Sequence, residues 1–186
     1  MNSQLKAFLS QVMEQLPTDW LALTTHRLDI YDESQAKTAF LEDFEALYAK
    51  GSCTAEELAA LPTAYDYIRL GHPLSTVLEW AIAKIHGLSA QQVIAFDSKT
   101  IPVMAVLRKN GLKQTASRLV YAQSMPIHLD EEAMAQVYGY TYVEQQVESL
   151  AALTGFEGET IALHETQDLS QLFNATGIQF QVNVHP

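Results

Sequence analysis

Leu5, Phe8, Leu9, Val12, Met13 and Leu16 recur at intervals of three and four residues, which predicts an amphipathic helix ending before Pro17. Trp20 to Tyr31 is rich in β-prone residues with imperfect alternation and predicts a strand. Asp32, with Gln35 three residues on, caps a second helix whose apolar face is Ala36, Phe40, Phe44 and Leu47, and Gly51 stops it. Thr54 and Glu57 form a further capping box for a short helix that ends near Pro62. Pro73 suits the first turn of a helix that turns Leu74, Val77, Leu78, Ala81, Ile82 and Ile85 inward and closes at Gly87.

The pattern then changes. Gln92 to Phe96 has two readings: Ser89 and Gln92 can cap a helix, whereas the apolar run fits a buried strand, the preferred assignment. Pro102 to Leu107 reads as helix, Asn110-Gly111 as a turn and Arg118 to Ala122 as a strand. Asp130 caps a long helix or helix pair reaching about Leu153, interrupted at Gly139. Thr160 to Leu163 is a strand and Asp168 to Phe173 a short helix stopped by Gly177. Ile178, Phe180, Val182 and Val184 share one face of a final strand. Strands alternating with helices behind a helical start predict an α/β (or α+β) fold. The expected layout is one domain over residues 1–186, with a helical part at 1–64 and an α/β part at 65–186 around one mixed sheet.

At 186 residues and 48% hydrophobic content, the chain has the composition of an ordinary packed protein. It has no apolar run near the roughly 18 residues that span a bilayer, and its first residues lack a signal-peptide pattern. With Cys53 as its single cysteine it makes no internal disulfide. These features predict a cytoplasmic protein, most simply a bacterial one, with no membrane association.

The net charge of −11 disfavours nucleic acid, whose phosphates call for clustered Lys and Arg. The charge is also unevenly placed. Lys99, Arg108, Lys109, Lys113 and Arg118 fall in a stretch without acids, and no Lys or Arg follows Arg118. Asp130, Glu131, Glu132, Glu144, Glu148, Glu157, Glu159, Glu165 and Asp168 follow instead. The two stretches either neutralise each other or simply face water, or else the basic one holds an anion or the acidic one meets a basic partner.

No nucleotide-loop, nucleophile-elbow or zinc-protease motif is present, and the six histidines form no metal-ligand pattern. Cys53 stands beside two glutamates, which predicts a raised thiol pKa and a poor nucleophile. Tyr138, Tyr140 and Tyr142 form either an interaction surface or half-buried packing. Tyr67 and Arg69 point the same way on an extended segment before the Pro73 helix. With His72 and Lys99 they make a candidate anion grip.

Tyr67-Ile68-Arg69 with Pro73, Leu78-Glu79 and Ala81-Ile82-Ala83 resembles the Y-x-R…N-P…LE-x-A-IA run of pyridoxal-phosphate enzymes of cysteine and methionine metabolism, the cystathionine lyase and synthase group. Phe96-Asp97-Ser98-Lys99-Thr100 stands in the place of their F-S-S-G-M phosphate loop, and Tyr138-Gly139-Tyr140-Thr141-Tyr142 is similar to their Y-G-G-T-Y. The resemblance implies that Tyr67 and Arg69 grip a cofactor phosphate and that Tyr138 stacks on its ring. Lys99 and Thr100 replace the loop's Gly and Met, and the chain ends before the Schiff-base lysine position. The implied relative is degenerate or dimer-dependent and lacks aldimine chemistry of its own.

The expectation is a non-catalytic protein acting through a protein partner, a second copy of itself included. It carries no catalytic residue, metal or resident cofactor. The alternative is a binder of, or enzyme on, a phosphorylated or anionic small molecule, pyridoxal phosphate among them.

Overall fold

The computed structural model describes residues 3–21, 38–62, 72–150, 153, 155–166 and 176–184, and among these residues the first half holds helices and strands appear only after residue 116. The chain divides into two compact units, Met1–Ala95 and Phe96–Pro186.

The first unit is helical. Helix α1 (Ser3–Glu14) buries Leu5, Phe8 and Val12, following its apolar period. A 3-10 turn (Thr18–Leu21) buries Trp20, and α2 (Thr38–Lys50) buries Phe40 and Phe44 before Gly51 takes a positive φ. Helix α3 (Ala55–Ala59) has the expected capping box: Glu57 N–H donates to Thr54 Oγ1 and Thr54 N–H to Glu57 Oε2. Helix α4 (Pro73–His86) starts at its proline and ends at left-handed Gly87. Its face is not quite the expected one, for Leu78 is 50% exposed whereas Trp80 is buried. Trp80 lies edge-on to Phe44 at 5.1 Å and Tyr48 at 5.2 Å, and its indole N–H reaches Glu45. An aromatic cluster with the Trp80 N–H paired is the centre of this unit.

The second unit is α/β. Helix α5 (Ile101–Leu112) precedes β1 (Ser117–Tyr121), α6 (Glu131–Gln136), β2 (Val143–Gln146), β3 (Glu159–His164) and β4 (Phe180–Asn183). The strand order is β2-β1-β3-β4, and every pairing among the described strands is parallel, although a mixed sheet was expected. One face carries Leu119, Ile161, Leu163, Val182 and Val184 against Val103 and Leu107 of α5. The alternation read in the last strand therefore holds.

Four sequence assignments change. Gln92 to Phe96 is neither strand nor α-helix: Ser89 and Gln92 cap a 3-10 turn (Ala90–Gln92), and an irregular stretch follows. Asn110-Gly111 is no turn but the end of α5, where the buried Asn110 amide donates to Ser117 Oγ at 2.9 Å. Trp20 and Leu21 lie in a 3-10 turn, not a strand. The helix starting at Asp130 stops at Gln136, because Gly139 turns the chain and the Thr141–Val143 run enters β2. The rest of the Trp20–Tyr31 segment, the Asp32–Gln35 cap and the Asp168–Phe173 helix lie outside the described residues.

Candidate functional site

The site begins at a helix end. Asp130 caps α6 by accepting from Ala133 N–H at 2.9 Å, and Val137 N–H closes the last turn onto Ala133 C=O. Gly139 adopts φ +67°, which allows Tyr140 N–H to return to Met134 C=O at 2.9 Å. The reversal stacks Tyr138 on Tyr140, with centroids 5.7 Å apart and planes 19° apart. Tyr140 and Tyr142 pack against the sheet core. Val137, Tyr138 and Val143 stay 72%, 49% and 57% exposed.

Strand β2 is an edge strand. Val147 N–H donates to Tyr121 C=O of β1, so the amides of odd-numbered residues in this segment face β1. Those of Glu144 and Gln146 then face away from the sheet. Among the described residues, these outward groups have no backbone partner. The side chains alternate too, Glu144 on the face of Leu119 and Val143 on that of Arg118.

The charge on the Glu144 face of this edge is acidic, whereas the buried Arg118 lies on the opposite face and donates to Gln145. Burial and the nearby Glu131 carboxylate push the Glu144 carboxyl above its usual range. Burial, then Glu144, Glu131 and Asp130, push the Tyr142 phenol up. Its buried oxygen has no hydrogen-bond partner. The ion pairs between described residues are Lys50–Glu57, Lys84–Glu45 and Lys109–Glu159, so no described basic side chain forms an ion pair with Asp130, Glu131, Glu132 or Glu144.

Of the four residues of the proposed anion grip, two lie among the described residues, one in each unit. The other two, Tyr67 and Arg69, lie outside the described residues. His72 caps α4, its Nδ1 accepting from Leu74 N–H at 3.2 Å. Lys99 is exposed in the bend before α5, where Ser98 Oγ already accepts from the N–H groups of Thr100 and Ile101. Tyr138 stacks on Tyr140, the position next but one in the same motif.

The basic stretch is partly consumed within its own unit. Lys109 Nζ lies 2.7 Å from Glu159 Oε1 and over the Phe180 ring. Arg118 is buried and donates to Thr160 and Gln145. Cys53 is buried, and burial first, then Glu57, pushes its thiol up while Lys50 opposes. A shallow groove beside Trp80 carries the Lys84–Glu45 pair, closed on itself.

Sequence reasoning found the tyrosines but missed Val143 and Glu144 as an edge. The signal was there: a β-branched and aromatic run directly after a glycine. It also missed His164 and Gln181, whose Nε2 and Oε1 atoms are buried without a well-aligned hydrogen bond, although Gln181 lies close enough to His164 to favour its charged form. Comparison with protein-family models, curated proteins and solved structures finds no match.

Proposed function

We propose that this chain is a non-catalytic cytoplasmic protein that works through a protein partner, bound at the tyrosine-bearing edge of its α/β unit. The observation that carries the reading is the stacked Tyr138–Tyr140 pair with exposed Val137 before it in the same turn. The turn leads into an edge strand that exposes Val143 on its other face and that has, among the described residues, no ion pair to its carboxylate. Aromatic and aliphatic side chains gathered at the surface with a charged rim are the composition of a protein interface. Among the described residues, no helix is long and apolar enough to cross a membrane.

The test compares the native chain with a Tyr138→Ser, Val143→Ser variant as bait. A partner retained in fixed stoichiometry by the native chain, lost on the variant and rebinding when purified supports the reading. A folded native chain that retains no stoichiometric partner ends it.

The anionic-ligand reading depends on Tyr67 and Arg69 and is separated by thermal shift with inorganic phosphate, phosphorylated metabolites and pyridoxal phosphate. Ligand at a hundred times its dissociation constant adds about 2.7 kcal/mol of stability. A shift of that size, abolished by Arg69→Ala, would replace the partner reading with this one.

A further inference from the structure

We infer that the partner presents an extended segment alternating basic and apolar residues, which pairs with the outer edge of β2 as a fifth strand. This inference rests on the partner reading above and specifies its chemistry.

Three observations converge on it. The outward N–H and C=O groups of Glu144 and Gln146 stand at an edge strand with no backbone partner among the described residues. Such a row is a template for strand addition, in which main-chain hydrogen bonds give affinity and alternate side chains give specificity. The two faces of that edge differ in kind. Glu144 on one face lies near Glu131 and the end of α6 that Asp130 caps, whereas Val143 on the other is apolar and exposed. An added strand alternates its own side chains between those faces, so its matching pattern has period two, cationic on one side and apolar on the other.

Charge selects this occupant over a second copy. Two β2 edges paired with each other would bring Glu144 and Glu131 of both chains together, and among the described residues neither carboxylate forms an ion pair that would offset them. Burial first and then the Glu131 carboxylate disfavour the charged form of Glu144, and a lysine or arginine between the two carboxylates relieves the second of these.

The experiment uses the full chain and a ten-residue peptide of alternating lysine and valine, read by fluorescence anisotropy and by amide hydrogen exchange. The expected result is saturable binding with slowed exchange at Glu144 and Gln146. Affinity should fall at least tenfold when every peptide amide is N-methylated, when glutamate replaces lysine, or in Glu144→Lys. Glu144→Pro deletes an outward N–H and leaves the β1 ladder bonds intact, so it gives a second variant with the same expected loss. No binding, or binding that survives N-methylation, overturns the inference. So does a dimer of the chain abolished by Glu144→Pro, which would assign the edge to a second copy. Any of these outcomes, together with a partner captured through Tyr138 and Val143, leaves the broader reading standing without the strand.

Discussion

Arg118 on β1 donates twice to the hydroxyl of Thr160 on β3, from Nε at 3.2 Å and from Nη2 at 2.9 Å, and both residues are buried. The guanidinium also reaches Gln145 on β2 and lies 4.8 Å from the Phe156 ring. One cation therefore ties three neighbouring strands on the sheet face opposite α5. Removing one acceptor from a buried charged donor costs more than the net worth of the bond. Thr160→Val should lower unfolding stability by about 1–3 kcal/mol in a urea titration. A change under about 0.5 kcal/mol would mean that Arg118 does not depend on that hydroxyl.

Glu144 gives a pH-dependent prediction with a fixed sign. Its folded pKa lies above the unfolded value, so folding favours the protonated carboxyl. That contribution is complete below the unfolded pKa, about 4.3, and is lost as pH rises through the folded value. Glu144→Gln should melt higher than the native chain at pH 7, and the difference should shrink towards pH 4. An unchanged or lower melting temperature at pH 7 contradicts the burial and repulsion assigned to Glu144.

The imidazoles of His164 and His86 behave in the opposite sense. Burial holds both below the usual range, with the Gln181 side chain opposing at His164. The unfolded chain then takes up protons that the folded chain does not. Stability is full above about pH 6.5 and falls as pH drops from there towards the folded values. His164→Gln should flatten part of that slope, measured as urea midpoints between pH 7 and pH 5.

Gly139 stands at φ +67° with open space where a Cβ would be, so only backbone strain resists substitution. Gly139→Ala should cost about 1 kcal/mol. It should also disturb the Tyr138–Tyr140 stack, read as a change in near-ultraviolet circular dichroism. Unchanged spectra with unchanged stability would show that the turn does not hold the stack.

In the helical unit, Phe44 is fully buried between Phe8, Phe40 and Trp80. Phe44→Ala should destabilise by about 3–5 kcal/mol, and Thr54→Ala, which removes the α3 cap, by about 1 kcal/mol. Equal effects of the two in chemical denaturation would contradict the aromatic cluster as the centre of this unit.

The sequence by itself determined the elements whose information is local. Helix periods, the Thr54–Glu57 box, Pro73 and Gly87 at the two ends of α4, and the alternation of Phe180, Val182 and Val184 all act within a few residues. It determined the α/β class for the same reason, and it marked the tyrosine cluster and the acidity around it. Only the tertiary structure decided which strand lies at an edge, because strand order depends on pairings far apart in sequence. It decided that Arg118 is buried among strands, and that Lys109 is taken by Glu159, 50 residues away. It also decided that Asn110-Gly111 ends a helix, since the side-chain bond to Ser117 outweighs the local turn preference. Charge and periodicity are written along the chain, whereas the neutralisation of a charge and the exposure of an edge depend on which distant segments fold against it.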